Sequence, residues 1–182
     1  MYLVRKRRLW PAIGSIGMLL LGVACLPAPA ADAGNPPPIR IAVFDFELED
    51  VSAAATQPGQ TPADSARLQD VSNAARRVLA QSGRYSIIDV SKVDAQPVKE
   101  RSLRTCDGCE VGIALQLGAE QSLVGVVRRI SMTDYYVLVQ ISDCRTGKVL
   151  NQQVANFAGG DDGWASGVAS LIRHQVLAGD SR

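Results

Sequence analysis

The feature that most constrains the fold is the stretch Leu117 to Phe157, LGAEQSLVGVVRRISMTDYYVLVQISDCRTGKVLNQQVANF. Ser122 to Ile130 is apolar and β-branched, and Tyr135 to Ser142 and Val149 to Phe157 alternate between apolar and polar residues, which is the period of a strand. Met132–Asp134 and Cys144–Lys148 interrupt them as turns. Three strands joined by turns this short must pair antiparallel with their neighbours. The stretch therefore predicts a meander of two hairpins, and the remaining elements must lie against it.

The first thirty residues stand apart from that sheet. Arg5-Lys6-Arg7-Arg8 precedes an apolar run from Leu9 to Leu26, and Ala28-Pro29-Ala30 supplies small residues for cleavage. This pattern predicts a secretory signal peptide over 1–30. A membrane anchor fits less well, because Pro11 and several glycines break the run and no stop-transfer cluster follows it. Lipid attachment at Cys25 is a minor alternative, since Gly22 stands where a large aliphatic residue is wanted. Four of the 19 basic residues lie in this leader and none of the 18 acidic ones do, so the mature chain carries a net charge near −3. With no basic tract beyond Arg8, nucleic acid and anionic membrane surfaces are poor partners. The pairs Arg76-Arg77 and Arg128-Arg129 read as solvated faces.

Residues 31–38 are small, polar and proline-rich, a flexible tether, and 39–179 is long enough for a single domain with a core of its own. Arg40 to Phe46 (RIAVFDF) reads as a strand covered on both faces. Glu47 to Ala66 lacks periodicity and reads as a long loop. Its acids Glu47, Glu49 and Asp50 could meet a hard cation such as calcium, but their spacing matches no such loop, so they read as solvated. Thr61-Pro62-Ala63-Asp64 predicts a capped helix start, with Leu68, Val71, Ala75, Val78 and Leu79 on one face and Gly83 as its stop. Tyr85 to Val90 is the next strand, reached by a crossover that makes it parallel to the first. Ser91 to Thr105 reads as loop with room for one helical turn. Asp107 is the expected cap of a second helix, with Glu110 three residues on, Ile113, Ala114 and Leu117 buried, and Gly118 as the stop. A third helix follows Gly159–Asp162, with Trp164, Val168, Leu171, Ile172 and Val176 facing the sheet. The expectation is an α/β two-layer sandwich. Its five-stranded mixed sheet takes the order 2-1-3-4-5, the first three strands parallel and the last two antiparallel, with about three helices mainly on one face.

IAVFDF, GRYSIIDV, a helix ending in LGA and the hairpin SDCRTGKVL, in this order, resemble the amino-terminal domain of TolB and the CsgG-like envelope proteins. A closer resemblance is to a family of secreted proteobacterial proteins without assigned function, which shares the CxxCE helix start, LGA and a late glycine-to-tryptophan segment. The resemblance spans nearly the whole mature chain. It implies a two-layer α/β sandwich with a mixed sheet, in the periplasm, and it supplies no catalytic residues.

Few constellations could carry chemistry. Cys106 and Cys109 form a CxxC at a helix start, where the dipole favours a thiolate and redox chemistry. Glu110 stands where a haem-attachment motif needs histidine. Zinc needs four ligands, and His174, the only histidine, lies on the last helix. In an oxidising compartment a structural disulfide is the simpler reading of the pair. Cys144 makes the mature count odd and could pair with either cysteine, stay free, or link two chains. The spacing of Cys106 and Cys109 favours those two, because it ensures their proximity in any fold. Ser166 and Ser170 have no histidine and acid arranged with them. Asp161 and Asp162 would repel a phosphate at the glycine-rich helix start, so they read as caps. Trp164 reads as a core anchor, or as a binding anchor if it is exposed. The candidate binding residues are thus Trp164, Glu47, Glu49 and Asp50, with no catalytic group, metal or cofactor expected. The sequence points to a non-enzymatic periplasmic accessory module that binds an envelope protein, with homo-oligomers allowed. The alternatives are a thiol-disulfide protein using the CxxC pair, or a small-ligand or metal-binding periplasmic protein.

Overall fold

A computed structural model describes residues 36–53, 61–92, 102–103, 106 and 108–179. The expected signal peptide, its cleavage site, Cys25 and the cap Asp107 lie outside the described residues, as do parts of the expected tether and of the loops 47–66 and 91–105.

The strands are β1 (Ile39–Val43), β2 (Glu47–Asp50), β3 (Tyr85–Ile88), β4 (Gln121–Arg129), β5 (Asp134–Asp143) and β6 (Val149–Ala158). The helices are α1 (Pro62–Gln81), α2 (Cys109–Gln116) and α3 (Trp164–Leu171), the last continuing through a π turn at Ile172–Val176. The sheet runs β3-β1-β4-β5-β6. β1 lies parallel to β3 and β4, while β4 with β5 and β5 with β6 are antiparallel. The expected order and directions of the five strands are those observed.

The correction is β2. Glu47–Asp50, expected as loop, is a sixth strand that pairs parallel with Val126 to Arg129 of β4. Val43 sits opposite Leu123 and Glu47 opposite Val126, so the chain spends one residue more than β4 between the two pairings. β1 and β2 are one strand broken by an irregular step. Phe46 swings from that step onto the face of β4, where a Cβ on Gly125 would occupy the space of its ring. Cross-strand charge explains why so acidic a segment joins the sheet: Glu49 lies opposite Arg128 and Asp50 opposite Arg129.

One face of the sheet carries the main core. Ile41, Val43, Leu123, Val127, Val137, Val139 and Ile141 pack against Leu68, Val71, Ala75 and Leu79 of α1 and Trp164, Val168, Leu171 and Ile172 from α3 onward. α1 starts as its sequence predicts. The Thr61 hydroxyl accepts from the Asp64 N–H, and the Asp64 carboxylate accepts from the Thr61 N–H, both at 3.1 Å. α3 comes close to β5: the Tyr135 hydroxyl donates to the Gly163 carbonyl at 2.7 Å, and a Cβ on Gly167 would lie 2.7 Å from that hydroxyl. A smaller cluster on the opposite face joins Ala42, Phe44, Leu103, Ala114, Ala119 and Cys144 beneath α2. α2 begins differently from expectation. Its N-cap is Gly108 in a left-handed conformation, φ 87°, a backbone turn that glycine tolerates.

Arg129 ties these parts together and corrects the reading of Arg128-Arg129 as a solvated pair. It is 8% exposed. Its guanidinium donates to Asp50 Oδ2 at 2.6 Å, to Asp64 Oδ1 at 2.5 Å, and to Asp161 Oδ1 and Oδ2 at 3.1 and 3.0 Å. It also lies 4.9 Å from the centre of the Trp164 ring, a cation–π contact. Arg67 adds a second cation beside Asp64 and Asp161. Arg76 is likewise engaged, donating to the Val43 carbonyl and to Asp45, while Arg77 is exposed as expected.

The cluster sets a pH dependence. Burial pushes the carboxyl of Asp50 up, but hydrogen bonds from Ser52 and then Arg129 outweigh it and hold it below its ordinary 3.8. At Asp64, burial is likewise outweighed by Thr61 and Arg129. A depressed folded pKa contributes stability above the unfolded value that disappears as pH falls through the folded one. Urea unfolding should therefore give a steady midpoint from neutral pH down to about pH 5 and a falling one below about pH 4, and Asp64→Asn should flatten that fall. Equal acid sensitivity in Asp64→Asn and the native chain would contradict this account.

Candidate functional site

Among the described residues, the face of the sheet away from α1 and α3 is only partly covered. Side chains alternate along a strand. Since Leu123, Val127, Val137 and Val139 point into the main core, Val124, Val126, Tyr136, Leu138 and Gln140 must point the other way. With Glu49 of β2 they line a groove of about 380 Å³, closed at one end by Leu103, Gly108 and Glu110. Its floor is aliphatic and its rim polar, the usual make-up of a recognition surface.

The rim is set by the other arginine of the pair. Arg128 donates to Glu49 Oε1 at 3.0 Å and to the Tyr136 hydroxyl at 2.5 Å. Its guanidinium lies 5.4 Å from the Tyr136 ring centre. The side chains of Arg128 and Glu49 are about one-third exposed, 34% and 32%, so this pair meets solvent and is worth little to stability. At the other end Glu47 accepts from the Leu103 N–H at 2.5 Å and from the Ser102 hydroxyl. It thereby holds residues 102–103 over the smaller core.

The candidate residues thus separate into two groups. Glu49 lines the groove and Glu47, on the same face, holds Ser102 and Leu103, both engaged rather than free in a solvated loop. Asp50 and Trp164 lie on the opposite face in the Arg129 cluster. Trp164 is 1% exposed, so its ring anchors the core and offers no binding surface. Sequence reasoning missed Tyr136, Leu138, Gln140 and Arg128. The signal that could have found them was the alternation of β4 and β5, since a strand with apolar residues on both faces must bury or use both.

Cys106 and Cys109 are joined as a disulfide, Cα to Cα 5.5 Å, at the start of α2. Cys144 is a buried free thiol, 2% exposed. Burial pushes its pKa up, which the nearby Ser122 hydroxyl opposes only in part. Buried there, Cys144 is out of reach of a second chain. Glu110, 4% exposed, brings Oε2 to 3.9 Å from Cys106 Sγ. Cys106, Cys109 and Glu110 form the one group among the described residues close enough to share a metal ion, but the disulfide takes up both sulfurs and leaves a single carboxylate. His174 is exposed in the π turn, and Ser166 donates to the Gly163 carbonyl at 2.8 Å. No described helix is long and apolar enough to cross a membrane.

Solved structures share features of this fold. The LpoB C-terminal domain from Salmonella enterica is similar, with TM-score 0.50 and 15% identity over 69% of this chain and 87% of that one. Lipoprotein GNA1162 from Neisseria meningitidis gives 0.48 and 16%, covering 79% and 99%. TolB from Acinetobacter baumannii gives 0.45 and 14%, covering 78% of this chain and 29% of that one. At such identities the first likeness shows a common fold and no more. None of the curated proteins matches the sequence. The family model described as "Protein of unknown function (DUF2380)" matches residues 39–176, and the chain belongs to that family.

Proposed function

We propose that this chain is a non-enzymatic accessory module of the cell envelope, periplasmic once its leader is removed, that binds a protein partner through the open face of its sheet. The observation that carries the reading is the groove between β2, β4, β5 and the start of α2. An aliphatic floor of Val124, Val126 and Leu138 beside an ion pair and a tyrosine suits a partner's apolar side chain, with polar groups around it to fix orientation. Leu138 is half-buried on that floor. Leu138→Glu should abolish capture of partners from a periplasmic extract of the producing bacterium while leaving the melting temperature nearly unchanged. Undiminished capture by Leu138→Glu would remove the groove as the binding surface.

The disulfide at the start of α2 sustains a second reading, a thiol-disulfide protein. Glu110 weighs against it, because a carboxylate beside Cys106 opposes formation of a thiolate there. As a staple across so short a loop, the bond should contribute about 2 kcal/mol on the entropic model. The double variant Cys106→Ser/Cys109→Ser is thus expected to lose about that much in urea unfolding and to keep its partner. The reduced native chain should alkylate at ordinary thiol rates near neutral pH. Fast alkylation at pH 6, or turnover of a disulfide substrate, would reverse the ranking of the two readings.

A further inference from the structure

We propose that β6 pairs edge to edge, antiparallel, with the β6 of a second copy of this chain, in a register centred on Val154. Val154 lies directly across from Leu138 on the groove face, but the inference rests on how the sheet treats its edges.

A strand edge presents unpaired N–H and C=O groups, and proteins ordinarily blunt it by shortness, charge, proline or cover. Two exposed ends of this sheet obey that rule. β3 has four residues. β2 also has four, and three of them are acidic. β6 does not obey it. It has ten residues, Val-Leu-Asn-Gln-Gln-Val-Ala-Asn-Phe-Ala, with no charge and no proline, and among the described residues it pairs only with β5. The one irregularity lies at its beginning, between Ile141 and Ser142 of the partner strand, which leaves Asn151 to Ala158 straight. Val149, Leu150 and Val154 are 42%, 48% and 50% exposed.

The strand is complementary to itself. In a two-fold pairing centred on Val154, that residue meets its own copy, and Gln152 meets Asn156 on either side. On the face that bears Val154, apolar therefore faces apolar and amide faces amide, and no like charges are opposed anywhere along the pair. A shift of centre by one residue to Gln153 would set Val154 against Gln152 and lose that match. The same two-fold brings the exposed Arg145 and Lys148 at one end of β6 alongside the acidic end of the other copy, where the Asp162 side chain is 98% exposed. Pairing along the strand gives about ten backbone hydrogen bonds, the number a typical stable interface carries. The product is a closed dimer with one continuous sheet, since a two-fold uses the β6 edge of both copies and leaves only the short β3 ends outermost.

The test is the mass of the mature chain in solution by sedimentation velocity over a dilution series. The native chain should run as a dimer that dissociates on dilution. Val154→Lys and Val154→Glu alone should each weaken association roughly a hundredfold, because each puts like charges opposite one another at the axis. Mixing the two variants should restore the dimer. Both should stay folded, with one cooperative melt that is lower than the native one only by the stability the dimer adds, since the position is half exposed, and Leu138→Glu should leave the dimer intact. A native chain that is monomeric throughout the series overturns the proposal, as does a dimer indifferent to Val154→Lys. A monomeric native chain whose capture of another envelope protein is lost in Val154→Lys would also overturn it, by assigning the edge to a different strand.

Discussion

The structure depends on one buried guanidinium. Arg129 reaches carboxylates from three separate segments, Asp50 of β2, Asp64 in the first turn of α1 and Asp161 in the turn before α3, and lies over Trp164 from the start of α3. Withdrawing so much charge from water is costly, and the attraction repays it only when every partner is in place. The cluster is therefore all-or-none. It fixes β2, α1 and α3 against the same end of β4, and removing a single member strands the others.

The strand period then dictates what its neighbour does. Arg128, one residue earlier, must emerge on the other face, where Glu49 and Tyr136 receive it. A consecutive arginine pair thus clamps the consecutive acids of β2 from both sides of the sheet, one pair dry and the other wet. The dry side is filled by α1 and α3. Among the described residues, short α2 and residues 102–103 are what lies over the wet side, beside the groove. The filled face and the grooved face thus meet along the same two arginines.

Much of the fold was legible because its signals are local. The capping box at Thr61 and Asp64, the alternation through β4, β5 and β6, and the stripe from Trp164 to Val176 each depend on neighbours a few residues away. β2 was not legible in that way. Glu-Leu-Glu-Asp has the composition of a solvated loop, and it becomes a strand only because Arg128 and Arg129 stand opposite, 79 residues along the chain. Trp164 shows the same limit from the other direction. Its place on the buried stripe could be read, but not the cation that stacks on it. The left-handed turn at the start of α2 was illegible for a third reason, since no side-chain pattern announces the conformation of Gly108. Of the candidate site, the acids were found without their partners, and the groove floor was passed over because Val124, Val126 and Leu138 look like any other core residues in a meander.

The central claim is that charge across the sheet, rather than strand propensity, holds β2 in place. A double-mutant cycle in urea unfolding tests it most directly, with Asp50→Asn, Arg129→Met and the double variant compared with the native chain. The account predicts a coupling energy of about 1 kcal/mol or more, with the denaturant dependence unchanged. Single-variant losses that simply add, within about 0.5 kcal/mol, would contradict it.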